Sequence, residues 1–200
     1  MPAWLLWTIA ALLSWGVWAI LSKLIGASLS ASHNQALSTI GLVPVALALL
    51  FSRRLAATGN RTRGALFAIV AGGLACGGNV AYYKALNLGD KAATVVALTG
   101  LYPLVTVLLA ILFLRERLNK VQLAGIFFSL AAIYLFNVTG EAGLFSSSLG
   151  WALVPIAFWG LAGLLQKLAS NHISGELSTL WFLAAFVPTA GIILWREPLA

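Results

Sequence analysis

The sequence predicts an all-α protein, a polytopic membrane helix bundle with about seven transmembrane helices. Three observations carry this reading. Hydrophobic residues make up 61% of the 200 and charged residues only 8%, whereas a soluble domain is about 45–50% apolar and about 25% charged. The apolar residues fall in long runs, and a helix crosses the hydrocarbon core of a bilayer with about 20 of them. The charged residues gather in the short stretches between the runs. Such a chain cannot cover itself with polar groups in water, so its expected first partner is the lipid bilayer. Strands are not expected, because the runs are long and lack the alternation of a membrane barrel.

The first segment, Pro2–Leu24, has no basic stretch ahead of it, unlike a cleaved signal peptide, and is long enough to span. The second, Ala36–Phe51, is short and carries Pro44 near its middle, which predicts a kinked helix. The third, Gly64–Asn87, holds Cys76, the one cysteine, so no intrachain disulfide can form. Its Gly73-x-x-x-Gly77 stretch suits close helix packing. The fourth is Ala92–Leu114. The fifth, Val121–Asn137, follows a charged knot within "LFLRERLNKVQLAG" (Leu112–Gly125), where Glu116 is expected to pair with a flanking arginine or to cap the next helix. The sixth and seventh are Leu149–Leu168 and Ser178–Trp195.

The formal charge of +7 would suggest nucleic acid on a soluble protein. In a membrane protein, basic residues collect in cytoplasmic loops, and no nucleic-acid partner is expected. The loop after segment two carries Arg53, Arg54, Arg61 and Arg63, and the loop after segment four carries Arg115, Arg117 and Lys120. Both are therefore expected in the cytoplasm with the N-terminus, and Thr139–Ser148 outside.

An internal repeat follows from two stretches. "WGVWAILSKL" (Trp15–Leu24) and "WGLAGLLQKL" (Trp159–Leu168) share Trp, Gly, Leu, Lys and Leu at matching places. The same register relates Pro44 to Pro188 and Val43 to Val187 without a gap. The first unit holds five spanning segments, an odd number, so the second enters the bilayer from the opposite side. That is an inverted-topology repeat, as in many secondary transporters, with the solute site near the midplane between the units.

The stretch "YYKALNLGDKAATVVALTGLYPLVTVLLAILFLRERLNKVQLAGIFFSLAAIYLF" (Tyr82–Phe136) resembles the EamA-type branch of the drug/metabolite transporter superfamily. The likeness lies in the Tyr-x-x-Ala-Leu turn, the proline of the fourth helix, the Leu-x-Glu-Arg-Leu ending and the glycine-containing fifth helix. The resemblance implies a ten-helix inverted-repeat (5+5) plan, cytoplasmic termini, and movement of small metabolites such as amino acids or related solutes, by alternating access. Residues 1–140 then form the first repeat and 148–200 the start of a second, incomplete one. On that plan about three helices are lacking, and the chain is read as a truncated product or fragment, or as a half-transporter that pairs, for example as a homodimer. The inward faces of segments six and seven, with Trp159 and Gln166, are expected to be left partly uncovered. The expected location is a bacterial inner (plasma) membrane.

Helical phase selects the candidate site, because polar residues inside a membrane tend to face the bundle or a cavity. In segment one, Trp4, Trp7, Ala11, Ser14, Trp18 and Ser22 share a stripe, with Trp15 at its edge. In segment three, Ala68, Gly72, Cys76, Asn79, Tyr83 and Asn87 share another. Thr99, Tyr102 and Thr106 align in segment four, and Trp159, Gly163, Gln166 and Ser170 in segment six. The candidate solute-binding residues are Ser14, Trp15, Trp18, Ser22, Asn79, Tyr83, Lys84, Thr99, Tyr102, Trp159 and Gln166. Lys84 is included as a partner for a solute carboxylate, against the alternative that it snorkels to the interface. Lys23 and Lys167 are read as interfacial.

Catalytic chemistry has little to work with. His33 and His172 fall in loops without a ligand set, so neither a metal nor a cofactor is expected. Asp90, Glu116, Glu141, Glu176 and Glu197 all fall in loops or at helix ends, so no mid-membrane carboxylate is expected to carry a proton. This differs from the small multidrug resistance pattern, which uses a glutamate in its first helix. A rhomboid-like protease would need a Gly-x-Ser-Gly nucleophile and a helical histidine, and a membrane metalloenzyme would need clustered histidines or acids. A seven-helix receptor is suggested by helix count and opposed by the repeat. The sequons at Asn60 and Asn137 are read as accidental.

Overall fold

The computed structural model describes residues 2–88, 92–139 and 147–198. Ten helices lie among them: α1 (Ala3–Ile25), α2 (Ala31–Ile40), α3 (Val43–Leu50), α4 (Arg61–Asn87), α5 (Ala92–Thr99), α6 (Tyr102–Leu114), α7 (Lys120–Thr139), α8 (Ser147–Ser170), α9 (Gly175–Ala184) and α10 (Phe186–Arg196). They correspond to the seven expected segments, because α2 with α3, α5 with α6, and α9 with α10 are halves of three broken spans. Six spans are long and apolar enough to cross a membrane; in α7 the apolar part of the described residues is the shorter Lys120–Ala132.

Each break has a proline just beyond it. Pro44 and Pro103 occupy the first turns of α3 and α6, and Pro188 that of α10. Proline lacks the N–H that would bond back across the break and fits the first turn of a helix. Only the first of these breaks was expected from the sequence.

Caps move several boundaries. Ser30 Oγ accepts the N–H of His33 at 3.1 Å, so the second span opens at Ala31 rather than Ala36. His33 therefore lies in a helix, not in a loop. Asn60 Oδ1 accepts the N–H of Arg63 at 3.0 Å and opens α4; this asparagine serves as an N-cap. The side chain of Asn137 lies outside the described set. Ser174 Oγ accepts the N–H of Leu177 at 3.3 Å and opens α9. Three helix boundaries share the spacing that separates Trp15 from Trp159, while those of α3 (Val43–Leu50) and α10 (Phe186–Arg196) do not. Gly175 and Ala184, the ends of α9, are the counterparts of Ala31 and Ile40, the ends of α2, and Ser147, the start of α8, is the counterpart of Ala3.

The charged knot is also resolved by caps. Arg115 ends α6 with a left-handed φ of 54°. Asn119 and Gln122 then exchange side-chain and backbone bonds of 2.8 and 2.9 Å, a capping box that starts α7. Glu116 neither caps nor meets an arginine; its Oε1 lies 3.6 Å from Nζ of Lys167 on α8.

The core is built around α4, which packs chiefly on α8, α9 and α2, while α6 packs on the other side of α8. Small residues permit this. A Cβ on Gly78 would meet Trp159 Nε1 at 2.5 Å, and one on Gly160 would meet Val105 Cβ at 2.5 Å. The seam does not use the Gly73-x-x-x-Gly77 pair as a unit, since Gly73 faces open space while Gly77 faces Phe158. Cys76 is buried beside Ala75 and Phe186. At the end of the bundle where α4 begins, the loop before it docks on the turn between α8 and α9. The N–H groups of Thr58 and Gly59 both reach His172 O at 2.9 Å, and Ser174 N–H reaches Ala56 O at 2.8 Å.

Candidate functional site

Five aromatic side chains from four helices converge beside one amide. Trp18 of α1 stacks on Tyr82 of α4 with centroids 4.9 Å apart and meets Tyr83 edge-on at 5.7 Å. Trp159 of α8 lies 5.5 Å from Tyr82 and 5.8 Å from Tyr102 of α6. Each arrangement is reached by ordinary helical phase. Asn79 and Tyr83 are one turn apart on α4, and Tyr82 is beside them because α4 is covered on most of its circumference.

The polar edges of the rings are bonded to one another. Trp18 Nε1 donates to Tyr83 Oη at 3.2 Å, and Ser38 Oγ of α2 lies 3.3 Å from the same hydroxyl. Trp159 Nε1 donates to Asn79 Oδ1 at 3.2 Å. The cluster therefore sets phenol hydroxyls and an amide among π faces, with both indole N–H groups already bonded inside it. In general, aromatic faces with a few polar groups can hold small solutes by stacking, cation–π contact and hydrogen bonds.

The sequence-derived candidates divide accordingly. Trp18, Asn79, Tyr83, Tyr102 and Trp159 come together. Ser22 is buried one turn from Trp18 and bonds its carbonyl at 2.7 Å. Thr99 is buried and bonds Val95 O of its own helix at 2.8 Å. Ser14 and Trp15 lie apart from the cluster: Ser14 bonds Ala10 O on the exposed surface, and Trp15 is 53% exposed. Trp7 of the same stripe is 72% exposed, so α1 turns this face to the protein only from Trp18 onward. Lys84 sets its ammonium 3.8 Å from the ring centroid of Trp151. Gln166 accepts a bond from Ser178 Oγ at 2.5 Å. Trp159 and Gln166 are thus both hydrogen-bonded within the chain, and both are only partly buried. Lys23, read as interfacial, donates to Leu86 O of α4. Tyr82 and Ser38 were not selected by phase; the Tyr-Tyr pair itself was the available signal.

A cleft of about 190 Å³ lies elsewhere, toward the end of the bundle where α6 and α8 finish. Thr106, Ala110, Glu116, Arg117, Gln122 and Lys167 are among its lining residues. Of the acids, Glu116, Glu176 and Glu197 stand at helix ends; Asp90 and Glu141 lie outside the described residues. No group of three metal-ligating side chains occurs among the described residues.

The EamA-like transporter family matches residues 2–138. The chain belongs to that family. The aromatic–amide cluster of this EamA-like protein is contributed by α1, α4 and α6 inside the matched region and by α8 beyond it. The chain is also similar to an uncharacterized protein of Methanocaldococcus jannaschii, 38% identical over 73 residues, which is 36% of this chain and 53% of that protein. It thus spans about half the length of that curated relative. No solved structure matches it. The family is one of membrane transporters, which agrees with an all-α bundle of apolar spans.

Proposed function

We infer that this protein is a carrier for small metabolites, amino acids or related solutes, working by alternating access, with the aromatic–amide cluster as its solute site. The observation that carries this is the meeting of Trp18 and Trp159 across α4. Their rings lie 6.3 Å apart, and they sit on α1 and α8, whose first residues, Ala3 and Ser147, are counterparts in the repeat. A solute held between repeat-related helices is exposed to either side when one unit rocks against the other. The same register supports the division into a first unit, residues 1–140, and the start of an inverted second, residues 148–200. The orientation with a cytoplasmic N-terminus, the bacterial inner membrane and pairing into a homodimer belong to this reading. The test is uptake of a radiolabelled amino-acid panel into liposomes. Saturable flux that Asn79→Leu abolishes, with the folded yield kept, supports the carrier. Flux indifferent to Asn79 would remove the site.

A further inference from the structure

The buried start of α2 holds polarity that the aromatic cluster does not use. Asn34 is 4% exposed and Gln35 1%. Asn34 Nδ2 and both Gln35 Nε2 and Gln35 Oε1 have no hydrogen-bond partner among the described residues. Unpaired amides in such surroundings are costly, and apolar side chains of similar shape would avoid the cost. Polar groups kept inside a membrane domain either bond across helices or face a cavity or ligand pathway, and these amide atoms do not bond across helices.

These amides connect to the cluster. Ser38 Oγ donates to Asn34 O at 2.7 Å, lies 3.4 Å from Asn34 Oδ1, and is 3.3 Å from Tyr83 Oη. The corresponding place in α9 is arranged differently. Ser178, the counterpart of Asn34 in the repeat, is equally buried, but its hydroxyl donates to Gln166. There the hydroxyl and the amide partner each other, and Trp181 Nε1, one turn on, is the atom left over; at Asn34 and Gln35 three atoms are left over.

We propose that Asn34 and Gln35 form a solute subsite beside the aromatic cluster, for an uncharged group that presents a carbonyl oxygen next to an N–H, as a carboxamide or a urea does. Gln35 alone can make both bonds, Nε2 donating to the carbonyl oxygen and Oε1 accepting the N–H, while Asn34 Nδ2, on the adjoining face of α2, is a second unpaired donor. No charged side chain takes part in the bonds that link Asn34 to the cluster. His33, the neighbouring titratable group on α2, is engaged with Glu197 O at 2.7 Å. The hydrogen bonds of Asn34 offer a carboxylate no counterion, and burying its charge among neutral amides is unfavourable. The subsite rests on the carrier reading for its role, but its binding can be tested alone.

The probes are nicotinamide and nicotinate, a matched carboxamide and carboxylate, measured by equilibrium dialysis against the purified chain in mild detergent. Nicotinamide is expected to bind about tenfold or more tightly than nicotinate, and Gln35→Leu to lose about tenfold for nicotinamide, the cost of one or two neutral hydrogen bonds. The unliganded Gln35→Leu protein should melt at the same temperature as the parent or higher, since an unpaired amide is gone. Equal affinity for the two probes, no nicotinamide binding, or a lower melting temperature for Gln35→Leu overturns the proposal and makes the amides structural. Liposome flux separates the two readings. Nicotinamide bound by a protein that carries neither it nor any member of the amino-acid panel keeps the subsite and removes the carrier; saturable flux of the panel or of nicotinamide that Gln35→Leu leaves unchanged, with no nicotinamide binding, keeps the carrier and removes the subsite.

Discussion

Trp18 donates its indole N–H to the hydroxyl of Tyr83 at 3.2 Å, and this bond joins α1 to α4. Much of α1 is otherwise exposed, so few other contacts fix its position. The coupling is measurable. In a double-mutant cycle of Trp18→Phe and Tyr83→Phe, the interaction energy should be about 0.5–1.5 kcal/mol, the range for hydrogen bonds between membrane helices. Unfolding in mixed detergent reads it. A coupling of zero would mean that the two groups are satisfied independently.

Gly78 and Gly73 sit on one helix yet should respond in opposite ways. A methyl on Gly78 would press on Trp159 Nε1, which bonds Asn79. Gly78→Ala should therefore destabilise by about 1–3 kcal/mol through overpacking and shift the tryptophan emission. Gly73 meets nothing within 4 Å. Gly73→Ala should be neutral or stabilising by up to about 1 kcal/mol, the helix-propensity gain. Equal effects from the two would contradict the packing described for α4.

The spans were legible because an apolar run of that length in lipid has few options besides a helix. The breaks were harder. Pro155 lies inside α8 without ending it, whereas Pro103 and Pro188 each follow a break, so proline alone does not decide between the two. The convergence of Trp18, Asn79, Tyr83, Tyr102 and Trp159 was legible where helical phase and burial agreed. Phase states which residues share a face but not how far along the helix a neighbour reaches, and so it placed Ser14 and Trp15 with Trp18. Asn34 and Gln35 were missed for a different reason. Reading the second span by its apolar run trimmed its polar first turn, where the Ser30 cap begins the helix.

The orientation can be tested with two cysteines at opposite ends. Thr58 lies in the exposed loop after α3, among four arginines, and Ser28 in the exposed turn after α1. Basic loops stay cytoplasmic. In a Cys76→Ala background, an impermeant thiol reagent applied to intact cells should label Ser28→Cys and spare Thr58→Cys until the cells are opened. The reverse pattern would place the N-terminus outside.

The ion pair between Glu116 and Lys167 spans 3.6 Å and ties the α6–α7 connection to the end of α8. Its side chains are 45% and 55% exposed, so water and salt screen it. Pairs of this kind contribute about 0–1 kcal/mol. Glu116→Gln, which keeps the shape and removes the charge, should therefore lower stability by less than about 1 kcal/mol, and raising the salt to about 1 M should erase most of the difference, because the screening length then falls to about 3 Å. Thermal unfolding of the two proteins at low and high salt makes the comparison. A loss of several kcal/mol that persists in salt would show that Glu116 has a role other than meeting Lys167 at a wet surface, and the cleft lined by Thr106, Arg117 and Gln122 would be the place to look for it.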